Sequence, residues 1–264
     1  SMKGVARQQS VELLLSAGAD PNHVNKLGYT ALLLACYPAY EPTRAAIVDR
    51  LLEMPGVNVD KVGGNDGNLI YCLIKQRTDT TGAHPDDESL ARRFLSMGVG
   101  HANNEKGAAL AATALEAKAT ELTLKKISTK YGDGLTQVPA EVLAMPWLLK
   151  LDLSENTIFA LPPSFFDALP ALQELDLSDN CLTRLSPTIR KLTQLRVLKL
   201  VDNRLRELPV EMGELGALHE LGLEGNPIIS PPPEVWKDKG SETASRVLAY
   251  LRELALGTVE NREV

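Results

Sequence analysis

The sequence predicts an α+β repeat solenoid, a fold in which short units stack so that each one contacts chiefly its neighbours. The first observation is a repeated motif, Leu-x-x-Leu-x-Leu-x-x-Asn. Its copies begin at Leu148, Leu172, Leu195 and Leu218, at intervals of 23 or 24 residues. The second is a different, helix-forming repeat in the first half of the chain. The third is the composition, because 44% apolar but only 5% aromatic residues suit thin stacked layers better than one large core.

Each copy of this leucine motif predicts one short strand. Alternate residues of a strand face opposite sides, so the leucines at the first, fourth and sixth places point into a common core. A stretched entry unit with Leu122 and Leu124 precedes the four regular copies. The motif and its period resemble the leucine-rich repeat, which implies a parallel-sheet horseshoe over residues 119–240 and a protein-binding role.

The asparagine that ends each motif is interpreted as structural. The backbone leaves the strand there with unpaired polar groups, and a buried amide side chain both donates and accepts hydrogen bonds. The predicted ladder comprises Asn156, Asn180, Asn203 and Asn226.

The strand positions that point away from the leucines form the candidate partner-binding surface, on the concave side of the predicted horseshoe. Its members are Lys150, Asp152, Glu174, Asp176, Arg196, Lys199, His219 and Glu220. An acidic band at Asp152, Glu174 and Asp176 lies beside a basic band at Arg196 and Lys199. Two interpretations stay open: the bands neutralise each other across adjacent strands, or they form a charge-complementary groove for a protein partner.

Residues 1–118 carry the second repeat. The text VELLLSAGADPN (11–22) precedes GYTALLLAC (28–36), and weaker copies follow around residues 65–103 and 104–115. Gly28, Thr30 and Leu32 predict a turn that opens one helix, and a second helix ends before Gly18 or its equivalent. The pattern resembles the ankyrin repeat, which implies helical hairpins stacked ahead of the leucine-rich part.

Residues 241–264 predict a C-terminal capping helix and tail. Val247, Leu248, Tyr250 and Leu251 form a stripe at helical spacing that can cover the last leucine layer. Trp236, just before this segment, is expected to make a capping contact because large aromatic side chains are mostly buried.

The net charge and the cysteine content limit which classes of function the sequence predicts. A net charge of −6 and a pI near 5.4 indicate that the chain lacks the basic surface needed to bind nucleic acid. No run of apolar residues is long enough to predict insertion into a membrane. Three widely separated cysteines form neither a disulfide framework nor a metal motif. We therefore expect a cytoplasmic protein that holds no cofactor.

One short string favours a distant alternative. Residues 83–88 read AHPDDE, which resembles the metal-binding signature of zinc-dependent deacetylases. The string lacks a preceding buried strand and a downstream His-x-x-His element, which that family uses to complete the site. The structural interpretation, acidic residues in the first turn of a helix, is favoured, and the segment is predicted not to be an enzyme.

The end of the repeat run, Gly-Asn-Pro-Ile at 225–228 followed by Tyr-Leu-Arg at 250–252, resembles the terminal repeat of Roco-family proteins. The order of ankyrin and leucine-rich repeats also resembles the N-terminal region of the leucine-rich repeat kinases in that family. The resemblance implies a non-catalytic regulatory and recruitment arm whose partners are other proteins or further domains of its own chain, a GTPase and a serine/threonine kinase. A free-standing cytosolic adaptor is the alternative.

Overall fold

A computed structural model describes residues 2–26, 28–36, 44–59, 93, 101–127, 134–237 and 240–257. The chain divides into two compact units. The first unit comprises Ser1–Asp79, Ala83–His101 and Ser128–Asp133, and the second comprises Thr80–Gly82, Ala102–Ile127 and Gly134–Val264. The weak repeat copy around 65–103 and the string at 83–88 lie almost entirely outside the described residues.

The described helices of the first unit are α1 (Met2–Ser16), α2 (Ala31–Cys36) and α3 (Arg44–Leu52). Gly28 adopts a left-handed conformation with φ of 86° in the turn before α2, which glycine reaches without steric cost. Thr30 then caps α2, since its hydroxyl oxygen accepts a hydrogen bond from the backbone of Leu33 at 3.2 Å.

The described core of the first unit lies mainly between α2 and α3. The side chains that are buried there belong to Leu15, Leu32, Leu33, Cys36, Val48, Leu51 and Leu52. The turn glycines Gly18 and Gly56 both have positive φ, 83° and 75°. These local features are those that a stack of helical hairpins requires, and the ankyrin assignment itself stays a prediction.

The second unit contains a parallel sheet of five strands in chain order. The strands are β1 (Glu121–Thr123), β2 (Lys150–Asp152), β3 (Glu174–Asp176), β4 (Val197–Lys199) and β5 (Glu220–Gly222). Every pairing in this sheet joins two strands that are consecutive along the chain. The predicted parallel sheet of leucine-rich repeats is thereby confirmed.

Short helical segments connect the strands. They are the 3₁₀ helix Ala140–Ala144, α5 (Phe165–Ala168) and the 3₁₀ helices Pro187–Lys191 and Val210–Glu214. After β5 come α6 (Pro233–Trp236), the 3₁₀ helix Gly240–Glu242 and α7 (Thr243–Ala255). Each connection returns the chain to the start of the next parallel strand, as a crossover must.

The core of the second unit is built from rows of leucine. The central residues of the five strands are in register and no more than 8% exposed; they are Leu122, Leu151, Leu175, Leu198 and Leu221. The leucines two positions later are also buried, at Leu124, Leu153, Leu177, Leu200 and Leu223. Burial of each such side chain contributes about 2 kcal/mol.

A helix precedes the sheet in the second unit, α4 (His101–Glu116). Asn104 joins it to the entry repeat: its Oδ1 accepts from the backbone of Thr136 at 3.0 Å, and its Nδ2 donates to the Thr136 hydroxyl at 2.8 Å. Ala111 of α4 belongs to the same buried cluster as the strand leucines. Sequence reasoning assigned this segment to a third ankyrin copy, and the domain bounds 1–118 and 119–240 stay a prediction.

The helix α7 packs on the other end of the leucine core. Val247 and Leu251 are fully buried in the cluster that holds the strand leucines. Arg252 donates from Nε to the carbonyl of Gly213 at 2.6 Å. Trp236 is 7% exposed, and its indole N–H donates to the carbonyl of Pro231 at 3.2 Å.

Candidate functional site

Four asparagine side chains are buried behind the sheet and connect consecutive repeats. Asn180 shows the pattern: its Nδ2 donates to the carbonyls of Leu153 and Leu177 at 2.9 and 3.1 Å. Its Oδ1 accepts from the backbone of Ile158 at 2.9 Å. Leu153 and Ile158 belong to the preceding repeat, so the amide holds two turns of the chain together. Asn156, Asn203 and Asn226 make the equivalent bonds.

Before each ladder asparagine, the chain turns through a left-handed residue. Glu155, Asp179 and Asp202 have φ between 52° and 54°, and Gly225 takes the same place in the last repeat. Aspartate and glycine tolerate this region better than β-branched residues. The repeated turn aims each asparagine inward and leaves the strand side chains on the other face of the sheet.

The side chains on that other face stand in two rows, which together we call the outward face. The first row, in register across the strands, is Glu121, Lys150, Glu174, Val197 and Glu220. The second row is Thr123, Asp152, Asp176, Lys199 and Gly222. Six of the eight predicted site residues are therefore brought onto one surface by strand pairing alone.

Lys150 bridges two carboxylates in the first row. Its Nζ lies 3.4 Å from Glu121 and 3.3 Å from Glu174. The hydrogen bond with Glu174, and after it the charge of Glu121, raise the pKa of Lys150. The three side chains are 45–65% exposed, so solvent screens these ion pairs and they contribute little to stability.

The second row is dominated by two aspartates. Asp152 and Asp176 are register partners on β2 and β3. The Oδ1 atom of each accepts a hydrogen bond from the backbone N–H two residues later, Ser154 and Ser178, at 2.9 Å. These bonds fix the orientation of both carboxylates at the carboxyl ends of their strands.

Lys199 is the register partner of Asp176 but pairs with a different residue. Its Nζ lies 3.9 Å from Glu220 of β5. The expected neutralisation of the acidic band by the basic band is therefore incomplete. Glu174 and Glu220 have lysine partners, whereas among the described residues no ion pair joins Asp152 or Asp176 to a cation.

The two remaining predicted residues lie one position before the paired rows. Arg196 precedes β4, and its exposed side chain makes no ion pair or hydrogen bond with the described part of the chain. His219 precedes β5 and is also exposed, with Nδ1 3.4 Å from the carbonyl of Ala217. We count both with the outward face, because each directly precedes a member of its first row, Val197 or Glu220.

A depression of about 220 Å³ lies in the outward face between β1 and β4. Its lining includes Glu121 and Thr123, which sequence reasoning omitted from the candidate site. The signal was present, because ELTL at 121–124 repeats the alternation of KLDL at 150–153 and ELDL at 174–177. The insertion after residue 127 obscured the entry repeat.

The described residues contain no group of three or more His, Cys, Asp or Glu side chains placed to hold a metal ion. The AHPDDE string at 83–88 is outside those residues, so its interpretation stays a prediction. Across the same described ranges, no helix has both the length and the apolar composition needed to cross a bilayer.

Comparison with known proteins identifies the repeat of the second unit. Residues 146–205 match the family described as leucine rich repeat. No curated protein matches the chain. A leucine-rich repeat protein of Leptospira interrogans is 35% identical over 35% of this chain and 23% of its own, with a TM-score of 0.34. The BIR2 ectodomain of Arabidopsis thaliana is 31% identical over 40% of this chain and 54% of its own, with a TM-score of 0.35.

The chain spans less than two thirds of either solved protein. The family match covers β2, β3 and β4 together with the first three ladder asparagines. The leucine spacing, the parallel register and this match agree. Residues 146–205 of this chain are leucine-rich repeats.

Proposed function

We propose that this chain is a non-catalytic protein–protein interaction scaffold whose outward face receives a protein partner. The observation that carries the proposal is the exposure of a five-stranded face whose polar side chains are held in fixed rows. Glu121, Lys150, Glu174, Lys199 and Glu220 remain 45–65% exposed although they stand on regular strands. A rigid, charged and accessible sheet face can specify a partner by charge complementarity.

The ends of the leucine core support the same proposal. We propose α7 as its C-terminal cap, since Val247 and Leu251 bury the last layer. A capped solenoid keeps its apolar ends from solvent, so the sheet face is left as the surface for recognition. The helices of the first unit are proposed to be ankyrin repeats, which would add a second interaction module.

We further propose that the scaffold acts in the cytoplasm as the regulatory and recruitment arm of a larger Roco-type GTPase and kinase. Its support is the order of the two repeat types and the Gly-Asn-Pro-Ile and Tyr-Leu-Arg texts at 225–228 and 250–252. Sequencing the full transcript tests this point. A reading frame that encodes GTPase and kinase domains supports it, and a stop codon directly after Val264 favours the free-standing adaptor.

Affinity capture from cytosolic extract tests the interaction function. The wild-type chain is compared with Arg196→Glu/Lys199→Glu, which reverses two charges on the outward face. The matched control is Arg190→Glu/Lys191→Glu, which makes the same charge change on the exposed side of the connecting 3₁₀ helix Pro187–Lys191.

The expected result is a set of proteins that the wild type and the control capture equally and the outward-face variant captures in a different amount, because a partner bound to this face responds to its charge. Equal capture by all three chains would show that the outward face is the wrong surface. Tryptophan fluorescence during thermal unfolding verifies that each variant is folded.

A further inference from the structure

Two like charges stand side by side on the outward face. Asp152 and Asp176 are register partners on adjacent strands, and neighbouring strands are about 4.8 Å apart. Like charges at such positions repel each other and destabilise the pairing. The arrangement is therefore one that a cation placed between the two carboxylates would relieve.

The nearby lysines of the outward face are directed at other carboxylates. Lys150 lies between Glu121 and Glu174, at 3.4 and 3.3 Å. Lys199 Nζ lies 3.9 Å from Glu220, although its register partner is Asp176. Both lysines therefore stand on the outward face, but neither forms an ion pair with Asp152 or Asp176 in the described part of the chain.

A third lysine, Lys125, is also near enough to the two aspartates to interact with their charges. Its Nζ bonds to Glu155 at 2.9 Å. That hydrogen bond is the largest cause of the raised pKa of Lys125, and the charges of Asp152 and Asp176 add smaller contributions in the same direction. The negative potential of the aspartate pair reaches a cation that is already bound elsewhere.

Backbone hydrogen bonds already order the carboxylates of both aspartates. The backbone N–H groups of Ser154 and Ser178 each bind one carboxylate oxygen at 2.9 Å, while both side chains remain partly accessible. Because these bonds already order the carboxylates, a cation would meet them with little further loss of side-chain entropy.

The size and charge of the depression define the occupant. Its volume of about 220 Å³ is below the range of roughly 300–1,000 Å³ that is typical of cofactor and small-molecule pockets. It suits one or two inserted side chains. Four carboxylates and two ammonium groups line it, namely Glu121, Asp152, Glu174, Asp176, Lys150 and Lys199.

We propose that the outward face binds a basic peptide segment of its partner, with a Lys or Arg side chain inserted between Asp152 and Asp176. An arginine is the better fit, since its planar guanidinium can donate to both carboxylates at once. This inference rests on the interaction function proposed above and adds the chemistry of the partner.

Fluorescence anisotropy tests the proposal with a labelled peptide of alternating Arg and Gly and with the same peptide carrying neutral citrulline in place of Arg. The protein variant is Asp152→Asn/Asp176→Asn. Asparagine retains an oxygen that can accept the N–H bonds of Ser154 and Ser178, so the variant removes charge while preserving the turn. The matched control is Asp167→Asn/Glu214→Gln, which changes the same charge on exposed helical segments outside the sheet.

The wild type and the control are expected to bind the arginine peptide equally, and the Asp152→Asn/Asp176→Asn variant about tenfold more weakly. The citrulline peptide should not bind, and added salt should weaken the arginine complex. A further variant, Lys199→Gln, should bind more tightly because one competing cation is removed.

Equal binding to wild type and Asp152→Asn/Asp176→Asn, equal binding of the citrulline peptide, or no binding of the arginine peptide to wild type would each overturn the proposal. The failure is distinguishable from failure of the interaction function. If Arg196→Glu/Lys199→Glu still abolishes capture of a protein partner, the outward face is an interaction surface whose partner is not a basic segment.

Discussion

The two units of the molecule use asparagine in the same way but in different surroundings. In the first unit, Asn22 donates to the carbonyl of Gly56 at 2.8 Å and accepts from the backbone of Asn58 at 2.7 Å. The residue is half-buried, and these bonds are open to water. In the second unit, Asn180 also joins two segments that are distant in sequence, but it is fully buried. The chemistry of the amide is shared, and access to water differs.

That difference determines how much each bond matters. If the Asn22 amide is removed, water can bind the groups that it leaves, so only the small net contribution of an exposed hydrogen bond is lost. If the Asn180 amide is removed, the N–H of Ile158 loses its partner in a place that water does not reach. The carbonyls of Leu153 and Leu177 each lose one of two bonds and keep those from Asn156 and Asn203. Unsatisfied buried groups each cost about 1–3 kcal/mol.

Truncating the two asparagines tests this comparison and has the largest expected effect. Asn180→Ala should lower the free energy of unfolding by about 3 kcal/mol or more. Urea denaturation followed by tryptophan fluorescence measures it, because the only two tryptophans, Trp147 and Trp236, belong to the second unit.

The matched change in the first unit is Asn22→Ala. We expect a loss of about 1 kcal/mol or less, seen as faster hydrogen exchange of the Asn58 amide. Equal destabilisation by the two variants would show that burial does not separate the two asparagines.

A pair of glycines sharpens the comparison with a smaller expected effect. Gly18 and Gly134 have nearly the same φ, 83° and 86°. A Cβ on Gly18 would meet no atom within 4 Å, whereas one on Gly134 would lie 2.6 Å from Oδ1 of Asn156. Both alanine variants incur about 1 kcal/mol of left-handed strain.

The Gly134→Ala variant should lose roughly 2 kcal/mol more, because the new methyl group displaces the first asparagine of the ladder. Denaturation curves for the two variants, by fluorescence for Gly134→Ala and circular dichroism for Gly18→Ala, measure the difference. Equal losses of stability in the two variants would show that Asn156 does not restrict which residue can occupy position 134.

A third prediction tests whether helix α4 stabilises the leucine-rich core that follows it. Replacing Asn104 with alanine removes both bonds to Thr136 and should lower the stability of the second unit by about 1 kcal/mol. The tryptophan transition is the measurement, and Glu116→Ala, at the exposed end of the same helix, is the control. An unchanged transition in Asn104→Ala would mean that α4 does not support the leucine-rich core.

The smallest expected effect concerns the ion pair between Lys125 and Glu155. The hydrogen bond from Lys125 lowers the pKa of Glu155 below its ordinary value. A carboxylate with a lowered folded-state pKa stabilises the fold above its unfolded pKa of about 4.3, and this contribution is lost as pH falls through the folded value.

An NMR titration of the Glu155 carboxylate should therefore give a pKa that returns toward the ordinary value in Lys125→Met. The stability difference between this variant and wild type should shrink as pH decreases below about 4 and should be small throughout, because the pair is exposed. A pKa of Glu155 that is unaffected by Lys125→Met would contradict the assignment.

Several features of the second unit could be predicted from the local sequence pattern. The spacing of leucines specifies where each strand lies and which side chains face the core, since a strand alternates its faces at every residue. An almost constant repeat length then brings equivalent residues into register, so Lys150, Glu174 and Glu220 share a row. The leucine-rich repeats and the parallel sheet predicted in this way are confirmed.

The charge pairing on the outward face was less predictable. Sequence reasoning placed acidic and basic bands side by side, but the pairing depends on the reach of individual side chains rather than on register. Lys199 contacts Glu220 instead of its register partner Asp176, and Lys150 contacts Glu121, a residue that an irregular entry repeat had hidden.

The sequence by itself determined the periodic part of this protein, because a repeat of 23 or 24 residues contains all the information needed to build one layer and to align it with the next. Tertiary structure alone decided what lies at the start of the stack. Ala111 of helix α4 belongs to the leucine core. The same helix approaches Leu135 at Gly107 and binds Thr136 through Asn104, and both of these partners come well after it in the chain. No local pattern encodes such contacts, since they exist only when distant segments meet.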